Sequence, residues 1–364
     1  MLSSDNAFLR HTGATVPLIC GAMYPCSNPE LIAAVAAAGA MAIVQPISLI
    51  YSHGRDLREG LCEIKQLTQN SIGFNRSEAE VEDRRARRAP AERAGREAAA
   101  FGFNAIVEQS SKVYEDRMRK WVDVALDEGV RFFVTALGNP RWVVERVHQA
   151  GGVVYHDVTE RKWAQKALDA GVDGLICVNN RAGGHAGRLD PRALYESLAD
   201  LDVPLVCAGG IGHERGFVEA LELGYAAAQL GTRFIATQEC SAHPDYKRAI
   251  LEARAADIVL TERISGVPVS VIETPYVRAV GTKAGPIARR LLAHPKAKHW
   301  VRTAYSLRSV WQLDRASQRG ASYRDYFQAG RSVEGIDAIE PAGAVVERFA
   351  AALARVRDQP AASE

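Results

Sequence analysis

One junction recurs along this chain, and it limits the fold more than any other feature. Five times a helix-like stretch meets a glycine and passes into a short apolar run; Gly39, Gly129, Gly151, Gly171 and Gly224 stand at these points. A glycine there caps the helix in a left-handed conformation, and the chain beyond it starts a strand. Strand-like runs occupy 16–20 (VPLIC), 41–44 (MAIV), 101–107 (FGFNAIV), 131–135 (RFFVT), 152–156 (GVVYH), 174–178 (GLICV), 204–208 (PLVCA) and 227–230 (AAQL). Helical stretches are expected at 29–38, 57–68, 114–128, 140–149, 160–170, from 191 onward, and at 215–223. Ser27 or Asn28 caps the first of them, and Pro29 suits its first turn. Crossovers of this kind are right-handed and join parallel strands. Strands that are apolar throughout belong to a sheet covered by helices. Eight such units before residue 235 point to an α/β fold, a (β/α)8 TIM barrel. A doubly wound sheet would carry its glycine-rich phosphate loop after the first strand. Here that loop reads Gly21-Ala22-Met23-Tyr24-Pro25-Cys26, without GxGxxG.

Two segments break the repeat. Residues 76–100 hold seven Arg and six acidic residues and almost nothing large and apolar. They read as a solvated charged insertion between the second and third strands. Both SIGFN at 71–75 and FGFNAIVE at 101–108 resemble the start of strand three; the second continues in apolar residues and is the better strand. After strand eight, 241–330 mixes helix-like runs with basic and aromatic residues, as in KAKHWVRTAYSLRSVWQLDRAS from Lys296. The expected organisation is a barrel over 1–240, an added helical lid subdomain over 241–330, and a segment 331–364 whose helix, 343–356, packs back on the barrel.

Composition excludes several partners. Lys plus Arg number 45 and Asp plus Glu 43, a net charge of +2, which gives no reason to bind nucleic acid. No run of 18 apolar residues suggests a membrane span, and the first residues lack a signal-peptide core, so the expected location is the cytoplasm. The six cysteines show no CxxC spacing and read as reduced, mostly buried thiols. No metal-ligand pattern is present, and no catalytic metal is expected. The oligomeric state stays open, with a homodimer among the choices.

A barrel of this kind places its chemistry at the C-terminal ends of its strands. The loop after strand seven holds Gly209 and Gly210, and the one after strand eight holds Gly231 and Thr232. Glycines there let backbone N–H groups converge on an anion, and this region is the usual phosphate site. After strand six, NNRAGGHAGR carries Gly183, Gly184 and a single imidazole, His185. That histidine is the candidate for proton exchange or for a hydrogen bond to a bound anion. His156, at the end of strand five, faces the same side, and a hydrogen-bonded core histidine is an equal alternative for it. Asn104, an amide within GFNAI, needs a partner in a barrel interior, and a flavin or nucleotide would supply one.

These segments together resemble the FMN-dependent nitronate monooxygenase family, once called 2-nitropropane dioxygenases. The matches are PLICGAM at 17–23, FGFN at 101–104, AGGHAG at 182–187, CAGGIG at 207–212, QLGTRFIATQEC at 229–240 and YFQAG at 326–330. The resemblance implies an FMN-bearing barrel with a helical cover, oxidising small alkyl nitronates with O2 to a carbonyl compound and nitrite. By the same resemblance His185 is the active-site histidine. Ala22 and Met23 line the isoalloxazine, Asn104 contacts it, and Gly209, Gly210, Gly231 and Thr232 cradle the phosphate, while Gly183 and Gly184, read from the residues alone, suggest close approach of a flat ligand. His185 would orient the nitro oxygens, and with a neutral nitroalkane it would be the base. Many relatives carry His-Lys after strand five, whereas this chain has His156-Asp157, so either another basic group, Arg181 or Lys166, supplies the positive charge or the redox behaviour differs. Two other readings are open: an NAD(P)H-dependent FMN reductase of enoyl thioesters or enones, on the same scaffold, and a phosphate-ligand sensor on a barrel without activity.

Overall fold

The computed structural model describes residues 6–75, 100–108, 112–263, 267–283 and 326–358. The charged insertion at 76–99 and the basic stretch from Lys296 lie outside the described residues.

Eight parallel strands close into a barrel in chain order: β1 (Leu18–Cys20), β2 (Met41–Val44), β3 (Gly102–Ile106), β4 (Phe132–Ala136), β5 (Val153–Val158), β6 (Gly174–Val178), β7 (Leu205–Ala208) and β8 (Ala227–Leu230). Strand β8 pairs back onto β1, with Ile19 opposite Gln229. Each strand lies within a few residues of its expected position. All five junction glycines have positive φ, from 72° at Gly151 to 119° at Gly224, as a left-handed helix cap requires.

The helices are α1 (Ala7–Thr12), α2 (Pro29–Ala37), α3 (Leu57–Asn75), α4 (Lys112–Asp127), α5 (Arg141–Gln149), α6 (Arg161–Asp169), α7 (Pro191–Glu196) and α8 (Glu214–Leu223). Helix α3 absorbs 71–75, and β3 begins at Gly102. At and beyond the expected end of α3 the polar side chains find partners on the helix itself: Thr68 Oγ1 donates to Ile64 O and Ser71 Oγ to Leu67 O. Asn28 occupies the N-cap of α2 without making the cap bond. Its amide instead donates to Glu239 O at 2.8 Å and accepts from Ser241 N at 3.0 Å, which ties the first loop to the chain beyond β8.

Two apolar layers result from strand alternation. Phe133, Val154, Leu175 and Cys207 face the helices, while Ile19, Met41, Ile43, Phe132, Val134, Tyr155, Ile176, Val206 and Ala227 fill the barrel. Its N-terminal end is stoppered by α1. Phe8 is wholly buried and meets Phe132 and Tyr155 edge to face, at 6.1 and 6.2 Å. The Tyr155 hydroxyl is 3.0 Å from His11 Nδ1, so its polar end is satisfied.

Beyond β8 come α9 (Thr232–Ile235), α10 (Pro244–Glu252), the antiparallel strands β9 (Ile258–Thr261) and β10 (Val269–Ile272), α11 (Pro275–Val280) and α12 (Ala342–Asp358). The helical addition after strand eight therefore also carries a β-hairpin, which a helix-like residue pattern did not separate from its neighbours. Helix α12 returns to the barrel, where Phe349 packs on Phe217 of α8 at 5.4 Å. No helix among the described residues is long and apolar enough to cross a membrane.

Candidate active site

At the C-terminal end of the strands the barrel opens into a cavity of about 1240 Å³. Ala22, Met23, Asn104, Gly183, Gly184, His185, Gly209, Gly210, Gly231 and Thr232 all stand on its wall. Sequence positions from 22 to 232 are brought together because all of them sit on one end of parallel strands.

The floor is polar. Asn104 is in register with Val134, Asp157 with Ile176, and Gln229 with Ile19 and Ala208. Each of those partners belongs to the interior cluster, so the three polar side chains also point inward. Gln229 Oε1 and Asp157 Oδ1 are enclosed without a hydrogen-bond partner among the described residues. A buried polar atom left so is costly and points to a ligand. Gln229 escaped the sequence reading, although an amide inside the apolar run AAQL is the same signal that singled out Asn104.

The loops after β7 and β8 lie side by side because these strands pair. No hydrogen bond within the described residues takes the N–H groups of Gly209, Gly210, Gly231 or Thr232. Four free donors on adjacent loops suit a phosphate. At Gly209, with φ of 118°, a Cβ would stand 2.5 Å from Ala182 N and 2.6 Å from Asn179 Oδ1, so only glycine fits. Thr232 Oγ1 accepts from Gly330 N at 3.0 Å, which fastens a late segment of the chain to this corner. Arg233 is wholly buried, donates to Ala236 O and Ala338 O, both at 2.7 Å, and does not line the cavity, so it ties α9 to the late segment of the chain. Met23 N donates to Ser27 Oγ at 2.9 Å, which fixes the first loop against the cavity.

The loop holding His185 is covered by the hairpin, where Ser270 N donates to Gly184 O at 2.8 Å. Desolvation holds the His185 pKa below its ordinary value, so the ring is neutral near pH 7. His156 also reaches the wall, but it behaves as a core histidine: its Nδ1 lies 2.8 Å from Thr135 Oγ1, and burial lowers its pKa to about 4. Asp157 is pushed up to about 7 by burial. The two groups expected to replace the family lysine stand elsewhere. Lys166 lies exposed at the outer margin of the cavity with Arg141, and the Arg181 side chain packs beneath Gly210. His213 caps α8, accepting from Gly216 N at 3.2 Å. Among the described residues no group of His, Cys, Asp and Glu could hold a metal ion.

The family model for nitronate monooxygenase matches residues 7–348. The chain belongs to the nitronate monooxygenase family. This is a family of FMN-dependent oxidoreductases. A Rhodococcus jostii protein named as a 5-hydroxy-7a-methyl-1-oxo-octahydro-1H-indene-4-carboxyl-CoA dehydrogenase is 26% identical over 281 residues, which cover 77% of this chain and 69% of that protein. A probable nitronate monooxygenase of Staphylococcus aureus is 25% identical over 305 residues, covering 78% of this chain and 82% of its own. The structure of FabK from Thermotoga maritima superposes with a TM-score of 0.74 at 25% identity, covering 98% of each chain. Within the nitronate monooxygenase family, then, this member carries an aspartate on the inner wall at the place where its sequence departs from the His-Lys pattern.

Proposed function

We propose that this chain binds FMN and reduces an uncharged carbonyl compound, an enone or enoyl thioester, at the expense of NAD(P)H. The observation that carries the choice of substrate is electrostatic. Among the described residues lining the cavity, the only lysine and arginine are Lys166 and Arg141, both exposed at its outer margin. The inner wall offers Asn104, Asp157, Gln229 and two histidines whose pKa values are depressed. Among the described residues that wall offers an anionic nitronate no counter-charge, and an unpaired charge in a desolvated site is costly. A neutral carbonyl compound carries no such penalty. The acyl end of the CoA thioester in the name of the Rhodococcus relative is likewise uncharged, while its CoA phosphates would have to lie outside this inner wall.

The residues present fit FMN. Free N–H groups at Gly209, Gly210, Gly231 and Thr232 would hold its phosphate, Asn104 and Gln229 would meet its ring amides, and the Ala22–Met23 loop would lie along the ring. FMN, when bound, supplies the two-electron transfer. The chain positions and shields the reactants. Gly184 lets the ligand come close to the backbone, Gly183 makes room for the backbone of Gly330, and His185 hydrogen-bonds the substrate. The hairpin over Gly184 and the aromatic pair Tyr246–Phe327, stacked at 4.8 Å, exclude water.

A second reading, oxidation of alkyl nitronates by O2, is favoured by the description of the family model that matches the chain. Two assays on the FMN-loaded protein separate them. Anaerobic bleaching of the flavin by NADPH or NADH, followed by recovery of colour on adding an enone or enoyl-CoA, is expected. Rapid oxygen uptake and nitrite release with propionate 3-nitronate, without pyridine-nucleotide oxidation, would replace the first reading by the second.

A further inference from the structure

Among the described residues, Asp157 is the one acidic side chain on the cavity's inner wall that the chemistry above leaves unused. It stands near the C-terminal end of β5, two residues beyond the interior Tyr155 and in register with Ile176 of β6. Strand alternation therefore turns it toward the barrel axis. Its Oδ1 is enclosed, its remaining surface faces the cavity, and no hydrogen bond or ion pair to it forms among the described residues. The described groups around it give no compensating charge. On β4 the register ends with Thr135 opposite His156, and Ala136, the next residue, carries no charge. On β6 the titratable group is Cys177, whose thiol burial pushes up. On its own strand His156 is neutral near pH 7 and turned to Thr135. Across the cavity are His185, also neutral, and Gln229, while Glu108, Lys166 and Asp169 line the same cavity.

An unpaired carboxylate in such a place is unfavourable, and the group keeps its proton instead. A protonated carboxyl is a strong donor to a neutral acceptor. We infer that Asp157 is a specificity-determining residue: a carboxylic acid that donates a hydrogen bond to a carbonyl oxygen of the bound substrate and keeps anions from that place. This rests on the neutral-substrate reading and sharpens it, because a lysine there would select the opposite charge. The burial that holds the proton also sets its limit. As pH rises through neutrality the acid ionises, the donor is lost, and a negative charge faces the carbonyl oxygen.

The test uses the FMN-loaded full chain and 2-cyclohexenone as the neutral probe, with binding read from the flavin's visible spectrum. Wild type is expected to bind the enone with constant affinity up to about neutral pH and to lose about tenfold by pH 8.5, the size of one hydrogen bond to a buried acceptor. Asp157→Asn keeps a neutral donor of the same shape, so it should hold the acid-side affinity at every pH. Asp157→Leu should be weak throughout. Difference infrared spectra at pH 7, wild type minus Asp157→Asn, should show a protonated carboxyl C=O band. A pH-independent wild-type affinity, the same pH dependence in Asp157→Asn, or no such band overturns the assignment. These readouts are independent of turnover. Enone reduction with a pH-independent affinity overturns the role of Asp157 and spares the proposed reaction. A pH-dependent affinity without reduction supports Asp157 and overturns the reaction.

Discussion

The two ends of the barrel are built from the same strands and have opposite characters. At the N-terminal end Phe8, Phe132 and Tyr155 close the interior with aromatic contacts and satisfy the one hydroxyl with His11. At the C-terminal end, a few residues further along the strands, Asn104, Asp157 and Gln229 face a cavity with donors and acceptors left over. Tyr155 and Asp157 make the contrast on a single strand. Stability is concentrated where the interior is filled and function where it is not, and a change at either end should register in one property and not the other.

The sharpest break is Phe8→Ala. Emptying the stopper should cost about 3–5 kcal/mol of folding stability, seen as a lower midpoint in urea, while the affinity of the folded protein for FMN stays the same. An equal loss of FMN affinity would show that the two ends are coupled. Gly209→Ala is the converse. The positive φ and the collision with Ala182 N should weaken FMN binding by about a hundredfold, from strain of about 1–3 kcal/mol and a displaced phosphate loop. Flavin fluorescence quenching measures it, and retention of stoichiometric FMN would refute the cradle.

Asp157→Asn should reveal the cost of leaving a carboxyl at the open end of the apoprotein. The folded pKa, raised from 3.8 to about 7, means that the native state holds a proton the unfolded chain releases. Wild-type stability is therefore lost as pH rises from about 4 to about 7, and the loss levels off above that. The melting temperature of Asp157→Asn should exceed that of wild type by a margin that grows across this window; a constant margin would mean the carboxyl is solvated. Gln229→Leu should have the smallest effect, leaving the apoprotein as stable or slightly more so, because it removes an orphaned acceptor, and weakening FMN about tenfold. Unchanged FMN affinity would remove Gln229 from the flavin site.

The sequence made the closed architecture legible because burial is written in patterns. Strands that are apolar throughout, alternating with helices stopped at Gly39, Gly129, Gly151, Gly171 and Gly224, leave few topologies. The candidate site was legible where a residue type is unusual for its setting, as with His185 among glycines or Asn104 in GFNAI. Gln229 was missed because a single amide in a four-residue strand looks like an edge residue until its register with Ile19 is known. The polarity of Asp157 was visible in the sequence, but its isolation was not, since that depends on Ala136 and Ile176 arriving beside it from other strands. The hairpin β9–β10 was hidden because short strands carrying Glu and Arg nearby have no periodicity of their own.

The attachment of Gly330 to Thr232 has a consequence for the order of events during synthesis. All eight strands have been made once residue 230 is linked. Gln328 and Ser332, however, also line the cavity, and Gly330 N closes its corner through Thr232 Oγ1. The Tyr246 hydroxyl donates to Gln328 O and adds a second fastening. A ribosome-bound chain therefore holds all eight strands about a hundred residues before the cavity has its late wall, and the helix that packs Phe349 on Phe217 comes later still. Flavin capture becomes a late event: a product truncated before residue 328 would lack both this wall and helix α12, whose Val345, Val346 and Phe349 are buried against the barrel, and it is expected to leave the ribosome colourless.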